Sequence, residues 1–270
     1  MSSRVNSATR IALCVCLLAA CRSAGDVRRA RVAGADIAYE MFGRSGPVVV
    51  FESGLGEDMR GWAPVARALA PCARVVLYDR PGIGRSAPRI DASPVRADAV
   101  AAQLADLLHA SGAPPPYVLV GHSLGGLYVQ AFARNRPHDV AAVVLVDAAS
   151  PFEPPGVFVS TVPPEPGTIE AAEEKGVAPS VASMLSGPPF PNVPLIVLAA
   201  TDHGDSPARE ALWRDVQART AAMSPQGQLD VVSGSGHFIQ SDRPAAVVDA
   251  VLRAASATGA DVRRCRDAGR

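Results

Sequence analysis

Apolar runs at residues 48–51, 74–78, 117–120, 140–146 and 195–200 are separated by stretches whose apolar residues recur at helical spacing. Strands buried on both faces read as continuous apolar runs, so these five predict the inner strands of a parallel sheet. The helical stretches fall at 60–69, 94–108, 127–134, 208–222 and 243–255, with Ser93 as cap and Pro94 as first residue of the second. Residues 28–43 alternate apolar and polar positions around Gly34, which predicts an antiparallel hairpin stopped by Arg44-Ser45-Gly46-Pro47. Residues 228–232 read as a last short strand. Strand and helix alternate along one domain, residues 28–255, which implies an α/β architecture with helices on both faces and chemistry at the carboxyl ends of the strands. Residues 151–192 interrupt the alternation: they are proline-rich, with one helix-like patch near 170–175. A disordered linker is one reading; a lid insertion is the preferred one, because the pattern resumes afterwards without a fresh start.

Of 270 residues, 48% are hydrophobic, with 26 basic and 26 acidic side chains. That is ample for one large core, and the balance leaves no basic footprint for nucleic acid.

Arg4 and Arg10 precede an apolar run at residues 11–20 and then Cys21, the order of an export signal and too short an apolar run for a lasting membrane span. Leu18-Ala19-Ala20-Cys21 resembles the lipobox of bacterial lipoproteins. The resemblance implies loss of residues 1–20, lipid on Cys21 and a tether at 21–27, the lipid being the one expected membrane contact. Arg22, in place of an aspartate, points to the outer membrane or surface; an ordinary secretory cut nearby would leave a secreted protein. Cys14 and Cys16 leave with the signal, so Cys72 and Cys265 remain, in an oxidising compartment.

Candidate chemistry centres on Gly121-His122-Ser123-Leu124-Gly125, between the apolar run ending at Val120 and the helical run that follows. A strand-to-helix turn of this kind lifts a serine hydroxyl clear of its backbone, and the strained conformation needs small neighbours two positions away. The spacing alone is weak; its setting between strand and helix carries the reading. A serine also needs a base. His237 stands in a glycine-rich loop before the last helix, whereas His109, His122 and His138 suit structural or solvent-exposed roles.

Taken together, SGLG at 53–56, YDRPGIGRS at 78–86, GHSLGG at 121–126 and SGSGH at 233–237 resemble the α/β-hydrolase superfamily, from residue 28 to about 255. The resemblance implies a three-layer fold with a mostly parallel sheet of about eight strands and a short lid. It implies Ser123 as nucleophile and His237 as base. The acid falls between them in the chain: Asp202, just after the run 195–200, is the first choice, with Asp205 and Asp147 as alternatives. Backbone amides of Leu55 and Leu124 would form the oxyanion hole. Relatives usually carry histidine where this chain has Ser53, so the bonding that shapes that loop is open. Residues 79–86 are assigned to loop geometry. A dinucleotide site would need a third glycine that is absent, and nothing calls for a metal; Asp202, His203 and Asp205 are explained by the triad loop. The same fold brings the ends of helices 60–69 and 243–255 together, which implies a disulfide between Cys72 and Cys265, the latter in a tail at 256–270.

The expected activity is cleavage of a small-molecule carboxylic ester through an acyl-enzyme, without cofactor. Serine rather than aspartate at the elbow argues against dehalogenase and epoxide hydrolase chemistry. Perhydrolase, carbon–carbon bond hydrolase and peptidase activities, or a binding protein with an idle triad, are the alternatives.

Overall fold

The described residues open with a hairpin, β1 (Arg28–Val32) and β2 (Ala35–Phe42), turned at Ala33 and Gly34, both at positive φ. The computed structural model describes residues 26–268 apart from 90, 92 and 159–161, so the signal segment 1–20 and Cys21 lie outside the described residues. There follow β3 (Val48–Glu52), α1 (Ala63–Leu69), β4 (Arg74–Tyr78), α2 (Ala97–Ser111), β5 (Tyr117–His122), α3 (Leu124–Asn135) and β6 (Val140–Val146). After a long insertion carrying α4 (Ile169–Ser186) come β7 (Leu195–Ala200), α5 (Pro207–Ala221) and β8 (Gly227–Val232). The short α6 (Ile239–Asp242), then α7 (Pro244–Ala257) and α8 (Arg263–Ala268) close the chain.

The eight strands form one sheet in the order β1-β2-β4-β3-β5-β6-β7-β8. β2 pairs antiparallel with β1 and β4, and every other pairing is parallel. Strand pleating sends alternate residues to opposite faces. Val48 and Val50 of β3, with Val143 and Leu145 of β6, meet α2 and α3 on one side. Val49 and Phe51, with Val144 and Val146, meet α1 and α7 on the other. Both faces are therefore dry, which is why these strands carry no polar alternation.

Cys72, between α1 and β4, is joined by a disulfide to Cys265 of α8, with Cα atoms 5.3 Å apart. The bridge fastens the C-terminal segment to the α1/α7 face.

Two expectations shift in detail. Ser93 does not cap α2: that helix starts at Ala97, and its first amide donates to Ser180 Oγ of α4 at 2.9 Å while Val95 N–H donates to Ala172 O at 2.8 Å. A tertiary contact replaces the local cap. The insertion 151–192 also holds more helix than its prolines suggest, because one face of α4 (Ala172, Glu173, Gly176, Ser180, Met184) is buried on the domain. Gly176 is needed there, since a Cβ would stand 1.8 Å from the Val95 carbonyl oxygen. Among the described residues no helix is long and apolar enough to cross a membrane.

Candidate active site

Ser123 stands between the end of β5 and the start of α3 at φ 49°, ψ −125°, in the positive-φ region that side chains rarely occupy. The flanking glycines answer to crowding. A Cβ on Gly121 would come within 2.7 Å of the Gly125 carbonyl oxygen and the Gly126 Cα, and one on Gly125 within 2.4 Å of the Ser53 carbonyl oxygen. The second approach also seats the start of α3 against the loop that follows β3.

The Ser123 hydroxyl donates to His237 Nε2 at 2.9 Å, and His237 Nδ1 donates to Asp147 Oδ2 at 2.7 Å. The carboxylate that meets His237 thus follows β6, not β7. Asp202, the first choice from the sequence, does follow β7, but its backbone N–H donates to the Ser235 carbonyl at 3.1 Å and its side chain is exposed. Asp205 is occupied at 2.9 Å by Arg209. The inward-facing residue of that loop is His203, whose Nε2 also donates to Asp147 Oδ2, at 2.8 Å.

Asp147 is fully buried and itself at positive φ, 42°. Its Oδ1 accepts from Ala200 N at 2.9 Å and from Trp213 Nε1 at 2.8 Å. Burial works to raise its pKa, but the hydrogen bonds from His203, His237 and Ala200 outweigh that and hold the carboxylate well below its ordinary range. Asp147, His203 and His237 could each offer a metal one ligand atom, all within 4.8 Å of one another. Hydrogen bonding already accounts for that proximity, since Asp147 Oδ2 takes an N–H from both rings.

The loop after β3 is held from three sides. Arg80, buried, donates through Nη1 to Glu52 Oε1 and the Ser53 carbonyl, both at 2.7 Å, and through Nη2 to the Gly54 carbonyl at 2.6 Å. Its Nε donates to Glu173 Oε1 of α4 at 2.6 Å, and Glu173 Oε2 accepts Gly56 N–H at 2.8 Å. Glu57 Oε2 accepts Gly54 N–H at 3.1 Å. Among the described residues nothing accepts the backbone amides of Leu55, between these tied residues, and Leu124, first in α3. Ser53 in the usual histidine position only donates its hydroxyl to the Asp58 carbonyl, at 3.3 Å. The shaping role passes to Arg80, Glu57 and Glu173. Asp79 does the same for its own loop, accepting from Met59 N and Arg85 N, both at 2.8 Å.

His122 is buried beside the elbow, its Nδ1 3.1 Å from Glu57 Oε2 and its Nε2 3.0 Å from the His237 carbonyl, so it braces the loop that carries His237. His109 and His138 are exposed and far from this network in the chain's fold, on α2 and in the turn after α3. A cavity of about 490 Å³ lies along Arg31, Arg80, Pro81, Arg96, Ile169 and Glu173, away from Ser123. Beside His237, Phe238 is half exposed, its ring centroid 5.5 Å from the imidazole.

A family model for the alpha/beta hydrolase fold matches residues 47–174, which contain the elbow, Asp147 and Glu173. The chain has the α/β-hydrolase fold. This α/β hydrolase fold is shared with a thermophilic esterase from Thermogutta terrifontis, at TM-score 0.63 and 22% identity over 84% of this chain and 97% of that one. An uncharacterized protein of Bacillus subtilis, YqjL, is 28% identical over 206 residues, 75% of this chain and 81% of its own. A Variovorax paradoxus protein named for carbamate hydrolysis, RutD, is 40% identical over 114 residues, which is 42% of either chain.

Within this α/β-hydrolase frame, His203, Glu210 and Trp213 as partners of the buried acid, and Arg80 and Glu173 as the clamp on the β3 loop, do not follow from the sequence patterns. For Asp147 the signal was present: a carboxylate directly after a wholly apolar strand. For Arg80 it was its place inside YDRPGIGRS, where the glycines drew attention to loop geometry instead.

Proposed function

We propose that the protein is a serine hydrolase that cleaves a carboxylic ester of a small molecule through an acyl-enzyme. The observation that carries this reading is the unbroken chain of hydrogen bonds Ser123–His237–Asp147 at 2.9 and 2.7 Å. Ser123 Oγ attacks the acyl carbon as His237 Nε2 takes its proton, and Asp147 keeps the other ring N–H pointed away and balances the imidazolium that forms. The amides of Leu55 and Leu124 receive the developing oxyanion, each worth about 3 kcal/mol of barrier. His237 then protonates the departing alcohol, and water, deprotonated by the same ring, releases the acid. The half-exposed ring of Phe238 beside His237 suits an uncharged acyl group. Carbamates and amides present the same carbonyl to Ser123, and the test separates them. Cys21 we propose as the lipid-bearing residue of an exported, envelope-anchored protein, supported by the order of charge, apolar run and cysteine at the N-terminus.

The test is steady-state hydrolysis of a panel of short and long acyl esters, lactones, carbamates and amides by wild type and S123A. The reading expects ester turnover that S123A abolishes. Turnover equal in both proteins, or none on any substrate, contradicts it and favours a binding protein on this fold.

A further inference from the structure

Two histidines share the carboxylate of Asp147, and only one of them faces Ser123. His203 approaches Oδ2 from the loop after β7 at 2.8 Å, His237 from the loop after β8 at 2.7 Å, their ring centroids 6.2 Å apart. The other edge of His203 is not free: its Nδ1 lies 2.9 Å from Glu210 Oε2 of α5, and its backbone N–H donates to Glu210 Oε1, also at 2.9 Å. An ionised carboxylate only accepts hydrogen bonds. A ring held between two of them must therefore donate from both nitrogens, which makes it an imidazolium. His237 differs, because its Nε2 faces the Ser123 hydroxyl at 2.9 Å, a partner that can donate as well as accept and so does not demand a second ring proton.

We propose that His203 is a positioning residue held as an imidazolium between Asp147 and Glu210, and that by sharing the charge of Asp147 it keeps His237 neutral, and available as a base, at lower pH than an unshared aspartate would allow. The inference rests on the triad reading above. Two carboxylates face His203, Asp147 from the end of β6 and Glu210 from α5, with the Trp213 ring edge-on at 5.7 Å. Asp205, on its own loop, is spent on Arg209. Around His237 stand Asp147, His203, the His122 ring at 4.7 Å with Glu57 behind it, and the half-buried Glu153. Asp147 and Glu57 favour a protonated His237; His203 opposes them across the shared carboxylate. The hydrogen bond to Asp147, then charge attraction to Asp147 and Glu210, hold the His203 pKa up at about 9 against the opposing effect of burial.

The experiment is NMR titration of the histidine rings in folded wild-type, H203Q and E210Q protein, with pH profiles of kcat/KM on an ester measured beside it. H203Q keeps a donor to Asp147 but no charge; E210Q keeps the ring but removes its second carboxylate. The expected results are a wild-type His203 doubly protonated through neutral pH, and a His237 midpoint higher in H203Q than in wild type. In E210Q the His203 midpoint falls toward 6.5, and the acid limb of kcat/KM moves up in H203Q with the NMR midpoint. A purely structural role would lower kcat and leave the midpoints alone. A wild-type His203 that loses its proton below neutral pH, or a His237 midpoint the same in wild type and both variants, overturns the proposal. If H203Q does not fold, E210Q alone decides. Ring shifts as expected without hydrolysis that depends on Ser123 would contradict the triad reading and leave only the charge sharing between His203 and Asp147; Ser123-dependent hydrolysis with unmoved midpoints would overturn the charge sharing and keep the triad reading.

Discussion

Two buried carboxylate centres flank the elbow, and they are built around opposite kinds of cation. On one side Glu52 and Glu173 close on Arg80, with Tyr78 donating its hydroxyl to Glu52. On the other, Asp147 is closed on by His203 and His237. Burial raises the Glu52 pKa, partly offset by Arg80, while attraction to Glu173 and Glu52 pushes Arg80 above its already high value despite its own burial. An arginine cannot give up its proton in a protein, so its centre has one charge state and serves to hold the β3 loop and α4 in place. A histidine can, so the centre at Asp147 has several states and can move a proton. Fixed charge sets the geometry on one side, and on the other the charge is exchangeable, as the proposed function requires.

Four measurements set the two centres against each other. The largest effect is expected from D147N, which leaves the volume but lets His237 take the wrong tautomer: kcat should fall by about 10⁴, whereas D202N should stay within about twofold of wild type, both read by ester hydrolysis. R80M comes next. It strands two carboxylates in the core and should cost about 3–5 kcal/mol of stability in urea denaturation, with activity falling as the Ser53–Gly56 loop loosens. Removing the disulfide by C72A/C265A should cost about 2–4 kcal/mol in the same assay without moving the pH dependence of turnover, since the bridge lies on the α1/α7 face away from either charge centre.

The smallest effect concerns pH and stability. The His203 pKa is raised from 6.5 to about 9 in the fold, so its contribution is complete below about pH 6.5 and is lost as pH rises through about 9. Thermal melts of wild type should therefore decline over that window, and the decline should be absent from H203Q. Arg80, which keeps its proton throughout, contributes no slope there.

Much of the sheet could be read directly from the chain. Residues 48–51, 140–146 and 195–200 are strands because a run apolar on both faces has no other stable place than between two layers of helices. Ser123 and His237 were legible because the glycines beside them mark backbone that needs room. Which of the three candidate aspartates meets His237 was not, and the reason is physical. Asp147 and Asp202 both stand just after an apolar strand, and which of them turns inward depends on His203 filling the space below the β7 loop and on Trp213 and Ala200 supplying the remaining donors. Those are contacts between elements far apart in sequence. The same holds for α4: its docking through Glu173, Gly176 and Ser180 is visible only against Arg80 and residues 95–97 of the domain beneath it.

The account turns on one arrangement, a serine made nucleophilic by a histidine that Asp147 holds in place. The most direct measurement is the rate at which a fluorophosphonate probe forms an adduct on Ser123, followed by peptide mass in wild type, H237A, D147N and D202N. Labelling confined to Ser123, near wild-type rate in D202N and slowed by orders of magnitude in D147N and H237A, is the predicted result. Labelling of D147N at the wild-type rate, or its loss in D202N, would contradict it.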